Sequence, residues 1–193
     1  NLSRLAIGHV ERVWAEHTLT KEYGCSLSTR VRDASNFGGF ADQGVDAVVC
    51  TGVSMYFPSA AYLVEMLTNA LPKIRPGGTL HFGDVISLEH IELFLLRKAR
   101  HAGASFEQLQ ATETRAELLA QSKDRLFSAD LWYALFARGL LPGVAAVEVQ
   151  LKHGAVMSEF SRYRYNVLLH MKGSDDAQPN STSELARGKG ILS

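Results

Sequence analysis

Between Gly44 and Gly52 the chain reads Val45-Asp46-Ala47-Val48-Val49-Cys50-Thr51, a nearly continuous apolar run bounded by turn residues. Such a run is the mark of a strand buried within a sheet. The next thirty residues fix its setting. Ser59 is a fitting N-cap, and Tyr62, Leu63, Met66, Leu67, Ala70, Leu71 and Ile74 then keep helical spacing until Pro76-Gly77-Gly78. A second strand, Thr79 to Val85, comes next. Strand, helix, strand at this separation defines a parallel βαβ unit, because two parallel strands can be joined only by a long crossover.

The rest of the chain extends this unit. Leu2, Leu5, Ala6, His9, Val10, Val13 and Trp14 lie on one face of a helix over 2–17, and Leu27 to Val31 reads as a short strand. A mostly helical stretch runs from Leu88 to about Ser122, loosened near Gly103. Ser128 caps a further helix ending at Gly139, with Phe127 and Trp132 at the spacing of a hydrophobic staple. Two closing strands, Val144 to Leu151 and Tyr163 to Met171, form an antiparallel hairpin, and alternation puts Tyr163, Tyr165, Val167 and Leu169 on one face. Residues 1–171 thus make one domain, and 172–193 a polar tail with no apolar period.

Twenty basic against twenty acidic side chains give no net charge, which argues against a partner such as nucleic acid or an anionic membrane surface. No apolar stretch is long enough to span a bilayer. The two cysteines, Cys25 and Cys50, are read as small buried side chains in a reducing cytoplasm, and seven histidines show no metal-ligand spacing. The chain opens Asn1-Leu2-Ser3 without a secretory pattern, and is expected to be a piece of a longer cytoplasmic polypeptide.

In open α/β sheets ligands gather at the carboxyl ends of the strands, here Asp33-Ala34, Thr51 to Pro58 and Gly83 to Ser87. Neither Gly-x-Gly-x-x-Gly nor Gly-x-x-x-x-Gly-Lys-Ser/Thr occurs there, so dinucleotide and P-loop chemistry have no motif to rest on. Four stretches in order do carry a likeness. They are Asp46 to Leu63 with its Tyr56-Phe57-Pro58-Ser59, Pro76-Gly77-Gly78 leading to Gly83-Asp84-Val85, Leu126 to Trp132 with Val147 to Gly154, and Glu159 to Val167. Together they resemble the S-adenosylmethionine-dependent methyltransferase domains embedded in nonribosomal peptide synthetases.

That resemblance implies a Rossmann-like class I methyltransferase sheet, mostly parallel with an antiparallel C-terminal hairpin and without the first two strands. It implies S-adenosylmethionine as cofactor and an amine acceptor, the nitrogen of a small-molecule or carrier-bound aminoacyl or peptidyl thioester; carbon or oxygen methylation would look the same from these residues. Other synthetase domains are the implied partners. Asn1 stands where the family has an acid for the ribose hydroxyls. Asp33 and Ala34 would meet the adenine, and Thr51, Gly52 and Val53 the methionine end. Tyr56 would face the transferred methyl or its acceptor, and Asp84 would hold the acceptor amine or position a lid residue. Methyl transfer from a sulfonium is an in-line displacement that relies on alignment and a neutral amine. A catalytically silent scaffold that keeps the packing but binds no cofactor is the competing reading.

Overall fold

The computed structural model describes residues 4–16, 23–111, 116–117, 120, 124–152 and 158–174. Asn1 and the stretch 175–193, which holds most of the expected polar tail, lie outside the described residues. In chain order the elements are α1 (Arg4–Glu16), β1 (Val45–Thr51), a 3-10 turn (Ser54–Tyr56), α2 (Ala60–Ala70), β2 (Ile74–Ile86), α3 (Ile91–His101), α4 (Phe106–Gln110), α5 (Ala129–Ala137), β3 (Val144–Leu151), α6 (Glu159–Arg162) and β4 (Arg164–Met171).

The strands form one sheet in the order β1-β2-β4-β3. β1 and β2 run parallel, joined through α2, while β4 is antiparallel to both β2 and β3. The Rossmann-like α/β layering and the antiparallel closing hairpin agree with expectation. The balance of pairings differs, with two antiparallel pairs to one parallel pair among the described residues. One reason is that Leu27 to Val31 makes no ladder: it has no strand beside it there with which to exchange backbone hydrogen bonds, and its apolar ends stay exposed.

Each element follows from local chemistry. The Ser59 hydroxyl accepts from the Tyr62 N–H at 3.1 Å and starts α2. Pro72, which lacks an N–H, ends regular helix in a 3-10 turn, so Ile74 begins β2 instead of closing the helix, and Pro76-Gly77-Gly78 lie within the strand. Leu63, Met66, Leu67 and Ala70 make the buried face of α2 against Leu80 and Phe82 of β2 and Val167 and Leu169 of β4. Each leucine buried this way contributes about 1.5 to 3 kcal/mol.

In the same core Ser128 caps α5, and Trp132 is fully buried beside Phe82 and Phe127, ring centroids 5.0 and 6.4 Å away. Glu89 binds the same helix start, accepting from Ser128, from the Ala129 N–H at 3.1 Å and from Ser87 at 2.6 Å. Partial burial works to raise its pKa, and the hydrogen bonds from Ser128, Ser87 and the backbone outweigh that and hold it at about 2. Those bonds commit Glu89 to the helix cap.

Leu80, Phe82 and Val85 all join the main core, although strict alternation would send Val85 to the opposite face. A bulge explains this. Phe82 pairs with Val167 and Val85 with Tyr165, so Gly83 and Asp84 together oppose the single residue Asn166. Ile86 is thereby turned into a second cluster with Met55, Ile91, Phe94 and Leu95.

β1 departs from its sequence reading in one respect. Its outer edge has no ladder partner among the described residues; Cys50 is buried, but Val49 is 67% exposed. An open apolar edge is a template for pairing with another chain. The chain is therefore expected to sediment as a mixture of associated species at micromolar concentration, and Val49→Lys to shift it toward monomer. Monomeric sedimentation of the unsubstituted chain at all concentrations would contradict this.

Candidate functional site

The parallel pair β1–β2 ends where ligands are expected. At its carboxyl end Thr51 pairs with Gly83, and the Gly52 N–H donates to the Gly83 carbonyl at 3.1 Å. Gly52 has φ +66, in the left-handed region that glycine adopts without steric cost. The chain then turns through Ser54–Tyr56 into α2. Against this bend packs the 32–37 loop, and between them lies a groove of about 640 Å³.

The groove gathers Ala34, Thr51, Gly52, Val53 and Tyr56, five of the residues singled out from sequence. Phe37, Val48, Val49, Cys50 and Met66 complete a mainly apolar wall, with Arg32 at the margin. Tyr56 is 74% exposed and stands on the rim. A Cβ placed on Gly52 would meet nothing within 4 Å, so the missing side chain leaves the backbone open to a ligand. Size, apolar lining and a bare backbone segment suit a flat heterocycle with a polar extension. In that respect the residues fit S-adenosylmethionine.

Asp33 faces elsewhere. It lines a separate polar cleft of about 760 Å³ with Ser35, Asn36, Glu65, Asn69 and Lys73. Its carboxylate accepts from the Tyr62 hydroxyl and from the Ser35 N–H at 3.1 Å, and the Ser35 hydroxyl lies 3.0 Å away. The Tyr62 bond, then those from Ser35, hold the Asp33 pKa below the usual carboxylate value. Burial, with the Asp33 bond next, raises that of Tyr62. This network ties the loop to α2 and so shapes the groove wall next to it. Asn1 lies outside the described residues.

Asp84 follows Gly83, the register partner of Thr51, and it adopts φ +59, a conformation uncommon for a residue with a side chain. The Asn166 Oδ1 accepts its backbone N–H at 3.2 Å. Its carboxylate is in contact with Lys152 Nζ, the two side chains only 17% and 25% exposed. Sequence reasoning missed Lys152. The signal was its position immediately after β3, the same strand-end rule that selected Thr51 and Asp84.

The cysteines separate. Cys50 is buried in the groove wall, whereas Cys25, expected to be buried, is exposed because its segment packs against no strand. Desolvation raises the Cys50 pKa to about 11. At pH 8 about one Cys50 in a thousand is thiolate, the reactive form. Ellman's reagent is accordingly expected to titrate Cys25 rapidly and Cys50 only after denaturation. Equal, rapid reaction of both in the folded chain would contradict the buried position of Cys50.

Comparison with known proteins bears on the fold. The chain superimposes on a SAM-dependent methyltransferase from Methanosarcina mazei with a TM-score of 0.54 at 13% identity, covering 90% of this chain and 80% of that one. It is 29% identical over 168 residues to the chondramide synthase of Chondromyces crocatus, covering 84% of this chain and 4% of that protein. It is also 31% identical over 132 residues to the bassianolide nonribosomal cyclodepsipeptide synthetase of Beauveria bassiana, covering 68% and 4%. The chain therefore spans only a few hundredths of the length of these curated relatives. No family model matches it.

The fold is that of the class I S-adenosylmethionine-dependent methyltransferases. Within that class the chain resembles the methyltransferase domains associated with nonribosomal peptide synthetases. No helix among the described residues is long and apolar enough to cross a membrane.

Proposed function

We propose that this chain forms part of an S-adenosylmethionine-dependent methyltransferase that N-methylates a carrier-bound aminoacyl or peptidyl intermediate within a cytoplasmic nonribosomal peptide synthetase. The observation that carries this reading is the convergence of Ala34, Thr51, Gly52, Val53 and Tyr56 on one groove at the carboxyl end of β1. When bound, the cofactor supplies a methyl group activated by its sulfonium charge.

The chain's own residues would do the rest by alignment. Ala34, Phe37 and Val48 offer apolar contact to the adenine. Gly52 and Val53 give the methionine portion close approach to backbone, and Tyr56 on the rim meets the acceptor side. Asp84, one residue beyond Gly83, lies within the same strand-end region and can hold the acceptor nitrogen by its charge. Asp33 acts on the adenine only through the loop it anchors. Methyl transfer needs the acceptor's lone pair, so the nitrogen held at Asp84 gives up its proton to solvent before it reacts.

The test uses S-adenosylmethionine labelled in its methyl group and the N-acetylcysteamine thioester of glycine as acceptor. The label is expected on nitrogen, giving the sarcosyl thioester. Label found on carbon or oxygen, or no transfer at all, would overturn the assignment.

A further inference from the structure

The ion pair between Asp84 and Lys152 has features that a surface salt bridge lacks. Asp84 is held in a left-handed backbone conformation by a two-for-one bulge, and its N–H is fixed by Asn166. Non-glycine residues keep such conformations where the surroundings impose them, commonly at ligand sites. Its partner is an alkylammonium brought from far along the chain. β4 separates β3 from β2, so Lys152, just past the end of β3, reaches across β4 to arrive at Asp84. Asp84 directly follows Gly83, whose carbonyl accepts the N–H of the groove residue Gly52, and an acceptor nitrogen would be expected on this side of the groove.

From this geometry we infer that Asp84 is a binding site for a primary ammonium group and that Lys152 is its internal occupant, which an incoming acceptor ammonium displaces. The inference rests on the amine-methylating reading above and adds to it a residue, Lys152, and a step, the exchange of one ammonium for another at a single carboxylate. Nothing covalent changes in that exchange. Both cations satisfy the same charge, so Asp84 is never left buried and unpaired, a state that costs heavily. The occupant also sets a threshold: a neutral ester or amide cannot replace Lys152, and an ammonium of the right reach can. Lys152 is thus a positioning and selectivity residue, with no contact to the methyl group required of it.

The experiment uses the full chain without cofactor, so that its failure is separable from a failure of cofactor binding, which is titrated independently with S-adenosylhomocysteine. Glycine methyl ester is the probe and methyl acetate its neutral counterpart. The readouts are the side-chain carboxyl 13C signal of Asp84 and the Nζ 15N signal of Lys152. With the unsubstituted chain, glycine methyl ester is expected to move both signals saturably and methyl acetate neither. Lys152→Met removes the competitor and tightens probe binding about tenfold, whereas Asp84→Asn weakens it about tenfold or more, in line with the strength of a charge-assisted hydrogen bond. Lys152→Arg, which restores a cation, returns affinity toward that of the unsubstituted chain. If the pair is merely structural, Lys152→Met lowers the melting temperature and leaves probe affinity unchanged or weaker. That result, or undiminished binding by folded Asp84→Asn, would overturn the inference.

Discussion

Trp132→Ala is expected to destabilise the chain by about 3 to 5 kcal/mol, the range for removing a large aromatic from a core. Trp132 has no exposed surface and joins three elements: its ring packs at a tilt against Phe82 of β2 and Phe127 before α5, and its indole N–H donates to the Tyr165 hydroxyl of β4 at 3.0 Å. Tyr165 in turn donates to the Phe127 carbonyl at 2.8 Å, and its burial raises its pKa. Truncation opens a cavity and also strips the Tyr165 oxygen of a donor deep in the core, where the loss cannot be made good by bulk water. Trp132→Phe keeps much of the volume and should cost less than half as much. Urea unfolding followed by circular dichroism measures both; a Trp132→Ala cost below that of the phenylalanine variant would contradict the structure.

Gly83→Ala is the second large effect, and it links stability to the site. A Cβ at position 83 would fall 2.5 Å from the Thr51 Oγ1 and 2.8 Å from its Cγ2. The two residues are register partners across the parallel pair, so neither backbone can move without loosening β1 from β2. Overpacking of this kind costs about 1 to 3 kcal/mol. Because Gly83 also accepts the Gly52 N–H, the groove end should loosen with it. Thr51→Ala removes the offending Oγ1 and Cγ2 and is expected to recover most of the loss in a double-mutant cycle, since residues in contact couple strongly. Strict additivity of the two substitutions in thermal melts would show that they do not meet.

Much of this architecture was legible because local signals and burial agreed. The Ser59 cap, the helical stripe of α2, the Phe127–Trp132 staple and the alternating Tyr165, Val167 and Leu169 all encode their own structure. The groove was legible for the same reason: strand ends of a βαβ unit converge, so Thr51 to Val53 and Tyr56 came together. What escaped depends on neighbours. Leu27 to Val31 has strand composition but no ladder, and a strand exists only with a partner. Pro72 falls within the apolar spacing of α2, yet its missing N–H decides where the helix stops. The bulge at Gly83-Asp84 is defined by register against Asn166, which no periodicity along one strand reveals. Lys152 was invisible because its partner lies 68 residues away.

The central claim is that the groove at the end of β1 receives the methyl donor, and the amide signals of its own backbone report on that most directly. In a 1H–15N titration of the chain with S-adenosylhomocysteine, the Gly52 and Val53 amides should shift saturably together with that of Ala34, and those of the β3–β4 hairpin far from the groove should not. Saturable binding with Gly52, Val53 and Ala34 unmoved, or no binding at all, would contradict the account.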